Sequence, residues 1–447
     1  MPSYLALGRT DAEGNVPPSQ RVNLGCVGVG GRAGAVIPAL TSNGHAQVTA
    51  FCDVDFKAGA ERNLKRFPKA KKFADFRTML DEMGDDIDAV SVVTPDHTHF
   101  TAAMDAMCRG KHVYVEKPLT HSFRESDLLM QAEKKFKVIT QMGNQGHTSA
   151  GALQFQHLVS KGIIHDIVKI DAWKSPSLWF MDAKKRINQY PGEMKAPDSL
   201  NWDLWCGPAK MMPYNRKYHP FDWRAFYLYG NGMLGDWGAH IIDFAHHWLK
   251  LGLPTHIKCH QMQDHNKVIF PLASKLSMHF PKRGDKLPAC DLNWHDGIGW
   301  EPEIDEKYWD VNKDGSKKKP NPGGAGSLLH NKDGDYLVKR GSHGSPSQLY
   351  PRIKMRDFGE EMKAKGPKLG HEQSFIQACM GKGETSSPFS VGGELTQVLL
   401  LGVICQFLNE DLEFDPKTKQ FKGNDKANKI LAGPAPRKGW ETFYKPV

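Results

Sequence analysis

The chain has 447 residues, 40% hydrophobic and 24% charged, with a formal net charge of +9. That length supports two domains with separate cores, and that composition excludes a low-complexity or disordered chain. The positive charge is spread out. Its densest run, residues 317–319, lies in a Gly/Pro-rich stretch without interleaved aromatics and reads as a solvated loop, so no nucleic-acid partner is expected.

Residues 1–20 have no helical or strand period and form a polar leader or tail. They read either as an ordinary disordered tail in a cytoplasmic protein or as the mature start left after removal of an export signal. No apolar run reads as a membrane span, so no membrane insertion is expected. Eight cysteines without a C-x-x-C pair read as free core thiols.

Residues 22–142 alternate strand and helix. Strands are predicted at 22–28, 46–52, 71–74, 88–93, 111–115 and 137–141, and helices at 33–41, 57–66, 76–83, 97–109 and 122–135. Continuous apolar runs such as DAVSVV suit parallel strands covered on both faces, so a doubly wound sheet follows. The first turn, Gly28-x-Gly30-Gly31-Arg32-Ala33, matches G-x-G-x-x-G/A between strand and helix, and Asp53 closes the second strand. Gly28 permits the tight turn, Gly30 lets backbone approach a pyrophosphate, and Asp53 can accept hydrogen bonds from an adenine ribose. NAD is the expected cofactor, because Asp53 repels a 2′-phosphate; Arg32 and Lys57 leave NADP open.

Ligands on such a sheet bind beyond the carboxyl ends of the strands. Three polar segments fall there: Thr94-Pro95-Asp96-His97-Thr98-His99, Glu116-Lys117-Pro118 and Gly143-Asn144-Gln145-Gly146-His147. Each can border a nicotinamide. Lys117 is the sharpest candidate, since like charge and burial would disfavour its ammonium form and suit it to a substrate hydroxyl.

After residue 146 the pattern changes. A helix is predicted at 150–161, then a strand in IVKIDAWKS. A Trp/Tyr/Pro/Asn-rich stretch at 175–231 reads as structured loops over a site. Within it, Tyr218, His219, Trp223 and Arg224 suit either a carbohydrate pocket or an aromatic interdomain cluster. Residues 235–251 resume helical spacing, followed by antiparallel strands and a hairpin signal at Asp333-Gly334; helices return near 356–364, 371–380 and 391–407. On the 235–251 helix, Asp236, His240 and Asp243 share one face at i, i+4, i+7. A carboxylate beside an imidazole can orient it as a general base, so Asp236 is expected to orient His240. No zinc spacing occurs, and Asp310-x-Asn312-x-Asp314-Gly315 lacks the closing Glu of a calcium loop, so no metal is expected.

The glycine turn, TPDHTH, EKP and the G-D-x-x-x-H helix, in that order, resemble the glucose–fructose oxidoreductase / inositol dehydrogenase (Gfo/Idh/MocA) family. The resemblance covers nearly the whole chain from about residue 21. It implies a Rossmann domain over 21–146 and, over 147–447, a substrate-binding and oligomerisation α+β domain with an open, mostly antiparallel sheet. It also implies a homodimer or homotetramer and hydride transfer between NAD(P) and a sugar or sugar-like polyol. In this reading Lys117, Asp236 and His240 are catalytic and Glu116 lies near the nicotinamide ribose. An alternative is a glycoside hydrolase that retains NAD and works by transient oxidation and elimination, with His219 or Tyr218 as a second base. NWDLWCGPA and YHPFDWR look like an often exported subgroup, which implies a periplasmic location and tightly held cofactor. The GNQGH segment stands where many members carry an arginine, which leaves the contacts of Asn144, Gln145 and His147 open.

Overall fold

The computed structural model describes residues 16–177, 179–180 and 185–445. Most of the leader, residues 1–15, lies outside them.

The N-terminal part forms a six-stranded parallel sheet in the order β3-β2-β1-β4-β5-β6. Its strands are β1 (Val22–Val27), β2 (Ala46–Cys52), β3 (Lys71–Phe73), β4 (Ala89–Val92), β5 (His112–Val115) and β6 (Thr140–Met142). Both faces of β4 are buried, which explains its unbroken apolar run. The connecting helices are α1 (Ala33–Leu40), α2 (Glu61–Arg66), α3 (Phe76–Met83), α4 (Asp96–Cys108) and α5 (Phe123–Phe136). Ser122 and Glu125 form a reciprocal capping box that starts α5. The strand order reverses between β1 and β4, where a doubly wound sheet opens its binding crevice.

After α6 (Ala150–Ser160) comes β7 (Ile167–Lys174), an interior strand of a nine-stranded sheet ordered β15-β14-β13-β7-β10-β9-β8-β16-β17. The others are β8 (His256–Gln263), β9 (Ala273–Phe280), β10 (Cys290–Asp296), β13 (Ala325–Asn331), β14 (Leu337–Arg340), β15 (Gln348–Tyr350), β16 (Leu412–Asp415) and β17 (Gln420–Phe421); β11 (Asp310–Val311) and β12 (Lys317–Lys318) form a separate hairpin. Only β7 and β10 pair in parallel, so the sheet is mostly antiparallel, as expected. The Gly/Pro-rich stretch at 297–350 contributes more to this sheet than its composition suggested: Asp333-Gly334 turns β13 into β14, and β15 pairs with β14.

The described residues of 175–231 pack an aromatic cluster and also border a cleft. Trp202 and Trp205, on α7 (Trp202–Cys206), stack at 4.5 Å and 14°. Tyr218, Phe226 and Tyr229 gather around them, and His97 of α4 inserts against Trp205 and Tyr229 at 5.0 and 4.9 Å. The predicted 235–251 helix divides at Ile242 into α8 (Gly232–Ile241) and α9 (Asp243–Trp248), and Ile242 itself keeps helical dihedrals and hydrogen bonds to Gly238 and His246. Two further helices are α10 (Lys354–Phe358) and α11 (His371–Cys379).

Helix α12 (Phe389–Leu408) corrects one expectation. By length and mean hydropathy, 1.6, it would qualify as a membrane span, yet 78% of that window is buried inside the protein. It packs against α5, α8, β6 and β8 and so joins the two sheets. A helix apolar all round is what a buried position demands. After α13 (Asp425–Leu431) the chain returns to the first domain, where Trp440 packs on Phe76 at 5.9 Å under the Arg77 guanidinium at 4.3 Å. All eight cysteines are free.

Candidate active site

One cleft of about 890 Å³ runs from the glycine turn and Asp53 past Thr94–Asp96 and Glu116–Lys117 to Asp236, His240 and His343. That is ample for a buried small-molecule ligand.

The glycine turn forms one end. Gly28, at φ 80°, lies so near β4 that a Cβ would meet the Val93 carbonyl oxygen at 2.4 Å. Gly30 was expected to make room for a pyrophosphate, yet a Cβ there would strike the Ala58 carbonyl at 2.3 Å, so this glycine fits the turn against a neighbouring loop. The open approach is at Gly31, with φ 53° and nothing within 4 Å of a Cβ position. Asp53 holds the turn: its carboxylate accepts from Val29 N–H at 2.7 Å and Asp55 N–H at 2.9 Å, and burial raises its pKa. A carboxylate has lone pairs beyond these two bonds, so a ribose hydroxyl can still donate to it. Gly31, the start of α1 and Asp53 therefore fit a dinucleotide. Phe76 and Trp440 also line the cleft, beside Asp75 and Ala102.

In the middle, Thr94 and Pro95 line the wall. His99 reaches the cleft, but both its nitrogens face carbonyls, Thr94 O at 2.8 Å and Pro118 O at 2.9 Å. It ties the TPDHTH turn to EKP, and burial holds its pKa down to about 4. A neutral ring donates from only one nitrogen, so one of these two carbonyls receives its hydrogen bond at a time, and both nitrogens are directed at backbone. Asp96, quoted within its motif but not singled out, is a buried cleft carboxyl. It accepts from Asn231 N–H and Nδ2–H at 3.1 Å each, and burial together with the Asp236 charge pushes its pKa up to about 7. The Arg32 guanidinium reaches Glu116 at 3.3 Å, and Gln145 donates to the same carboxylate oxygen at 2.7 Å.

At the far end the sequence-predicted pairing is redistributed. Asp236 does not orient His240: its carboxylate takes the Lys117 ammonium, which also donates to the Asp236 carbonyl at 3.2 Å. Lys117 thus faces a counter-charge that the sequence reading did not include. Asp243 accepts from Asn144 at 3.0 Å and lies 2.9 Å from His147 Nδ1. Asn144 and His147 are buried and not among the cleft-lining residues; His147 stacks on Trp248 at 5.0 Å. The imidazole of His240 is buried, and its Nδ1 has no partner among the described residues. Burial and the Lys117 charge hold its pKa well below the ordinary value, so the ring is neutral.

Of the aromatic-loop candidates, His219, Trp223 and Arg224 line the cleft, whereas Tyr218 is fully buried among Trp202, Phe226 and Tyr229 and does not. His219 lies 3.3 Å from Asp55. Sequence reasoning did not single out His343, Trp237 or Trp440, all of which line the cleft. His343 sits in a Gly-Ser-His-Gly-Ser turn whose only signal was flanking glycine. No cluster that could hold a metal occurs among the described residues.

Two family models match the chain: an oxidoreductase family NAD-binding Rossmann fold over residues 22–144, and the family's C-terminal alpha/beta domain over 154–279. A glycosyl hydrolase family 109 protein 2 from Shewanella sp. (strain ANA-3) is 29% identical over 35% of this chain and 36% of its own length. A levoglucosan dehydrogenase from Pseudarthrobacter phenanthrenivorans is 26% identical over 42% and 38%. The chain therefore spans little more than a third of the curated relatives it matches. Among solved structures, the WlbA dehydrogenase from Chromobacterium violaceum, in complex with NADH and UDP-GlcNAcA, aligns with TM-score 0.56 at 15% identity, covering 89% of this chain and 96% of that one. The aldose-aldose oxidoreductase from Caulobacter crescentus, complexed with glycerol, aligns with TM-score 0.53 at 14% identity, covering 88% and 100%. These two likenesses bear on the fold alone. With both family models matched in order along one chain, the protein belongs to the Gfo/Idh/MocA family of NAD-binding oxidoreductases.

Proposed function

We propose that this protein transfers hydride between a nicotinamide cofactor and a sugar or sugar-like polyol. The observation that carries the reading is the single cleft that joins the glycine turn to Lys117, Asp236 and His240. Bound nicotinamide supplies the hydride acceptor or donor. Two of the three ammonium protons of Lys117 go to Asp236, which leaves one for a substrate oxygen. A neutral imidazole can accept the hydroxyl proton as hydride leaves the carbon, and burial keeps His240 neutral. NAD is favoured over NADP because Arg32 is engaged by Glu116 and Lys57 is not among the cleft-lining residues. Burial of Trp440 beside the cleft favours tight retention. Export to the periplasm and assembly as a homodimer or homotetramer belong to the same proposal; they rest on the family resemblance and are tested by fractionation and light scattering.

The second reading, hydrolysis of a glycoside by transient oxidation, is supported by the similarity to several glycosyl hydrolase family 109 proteins. It needs a second base, and buried Tyr218 is not available for that role; His219 lines the cleft. The test is a panel of free sugars, polyols and chromogenic glycosides. Net reduction of NAD by a free sugar supports the first reading, and aglycone release without net NADH supports the second. Failure to bind NAD, with none released on denaturation, removes both.

A further inference from the structure

The imidazole of His240 lacks the carboxylate that its helix spacing promised. Asp236 serves Lys117, Asp243 serves Asn144 and His147, and Nδ1 of His240 is unpaired among the described residues. What lies on the ring is a second imidazole. The His343 ring stacks on His240 with centroids 3.7 Å apart at 27°, and Trp237 closes on His343 edge-to-face at 5.1 Å. On its other side His343 lines the cleft, and its Nδ1 lies 2.9 Å from Ser342 Oγ.

The backbone is arranged to deliver this ring. His343 adopts φ 54°, a left-handed conformation that side-chain-bearing residues seldom take. Glycines on two separate segments seat its turn. A Cβ on Gly146 would stand 2.9 Å from Gly344 N, one on Gly151 2.2 Å from Gly344 O, and one on Gly344 2.4 Å from Ser149 Oγ. Gly146 belongs to the GNQGH segment, which therefore packs directly against this turn.

We propose that His343 is a positioning residue for His240: its ring, seated by these glycines, fixes the plane of an imidazole that no carboxylate holds. The proposal rests on the reading of His240 as proton acceptor. The stack also places one titratable ring against another, so protonation of either opposes that of its partner. The other charged groups facing the pair are Lys117 before α5, Arg32 before α1, and Asp236 on α8.

The test compares wild type with His343→Phe and His343→Ala, each with NAD bound. In histidine-labelled protein the His240 resonance is identified by its loss in His240→Asn and titrated by NMR. Phe keeps a stacked ring but removes the like charge, so His240 titrates at least about half a pH unit higher than in wild type. With a sugar that reduces NAD, Ala lowers kcat at least about tenfold with little change in KM, and Phe restores it to within about threefold. An unchanged His240 titration in both variants, or Phe as damaged as Ala, overturns the proposal. If His240→Asn abolishes turnover while both His343 variants behave as wild type, the base assignment stands and the positioning role falls. Full turnover in His240→Asn removes the base assignment and this inference with it.

Discussion

The glycine turn offers a graded test, because four glycines within seven residues have different surroundings. Gly28→Ala combines two penalties. The left-handed φ of 80° costs about 1–2 kcal/mol, and overlap with Val93 O at 2.4 Å adds about 1–3 kcal/mol as turn and strand shift. Their sum, about 2–5 kcal/mol, emerges as lost stability or as a displaced turn, and at the lower bound corresponds to about 30-fold in NAD affinity. Gly30→Ala carries a clash of the same kind with Ala58 O. Gly31→Ala pays only for its φ of 53°, about 1–2 kcal/mol, unless the ligand itself comes close. Gly34, inside α1 with nothing within 4 Å, gains about 0.5–1 kcal/mol of stability as Ala and keeps its affinity. NADH fluorescence titration and thermal unfolding on the same four variants give both parts of each sum. Gly28→Ala within about 0.5 kcal/mol of wild type by both measures, or Gly31→Ala as destabilising as Gly28→Ala in thermal unfolding, would falsify the close-packing argument.

Replacement of Lys117 by Met, or of His240 by Asn, lowers kcat by about 10²–10⁴ while NADH affinity is retained, as measured by turnover and fluorescence titration. Trp440→Ala removes the packing on Phe76 and Arg77, a truncation that costs about 3–5 kcal/mol in a core, and accelerates NADH release in stopped flow; an unaltered release rate shows that the C-terminal segment does not hold the cofactor. His99 titrates near 6.5 when unfolded and at about 4 when folded, so its stabilising contribution is complete above the unfolded value and is lost as pH falls through about 4. Unfolding at pH 5 therefore takes up about 0.9 proton at this site, and His99→Gln reduces the measured uptake by that amount.

The first domain was largely legible because each of its signals is local. Apolar runs marked strands buried on both faces, and β1, β2, β4 and β5 fall within a residue or two of expectation. The sixth strand, predicted at 137–141, runs instead from Thr140 to Met142, because Lys137 is the left-handed cap that ends α5. The second sheet was legible as a class but not in detail. The parallel pairing of β7 with β10 and the seating of β13 on β7 depend on contacts more than a hundred residues apart, which periodicity does not carry. Helix α12 was recognised as a helix, while its place between the sheets depends on what packs around it.

The site shows the same division more sharply. Spacing placed Asp236, His240 and Asp243 on one helical face, but a shared face gives each side chain a neighbourhood and not a partner. The partners are decided across the chain. Lys117 reaches Asp236 from the end of β5, and Asn144 and His147 reach Asp243 from beyond β6. A charged or hydrogen-bonding group that can engage a buried carboxylate will do so, since an unpaired one is costly. Both carboxylates are therefore taken, and His240 is left to an aromatic contact. Burial and the nearby Lys117 charge, with no carboxylate on the ring, disfavour the imidazolium, and a proton acceptor at neutral pH must be neutral before it can act. The loss of the expected Asp–His pair is thus compatible with a base at position 240, provided its ring plane is fixed by something other than a hydrogen bond.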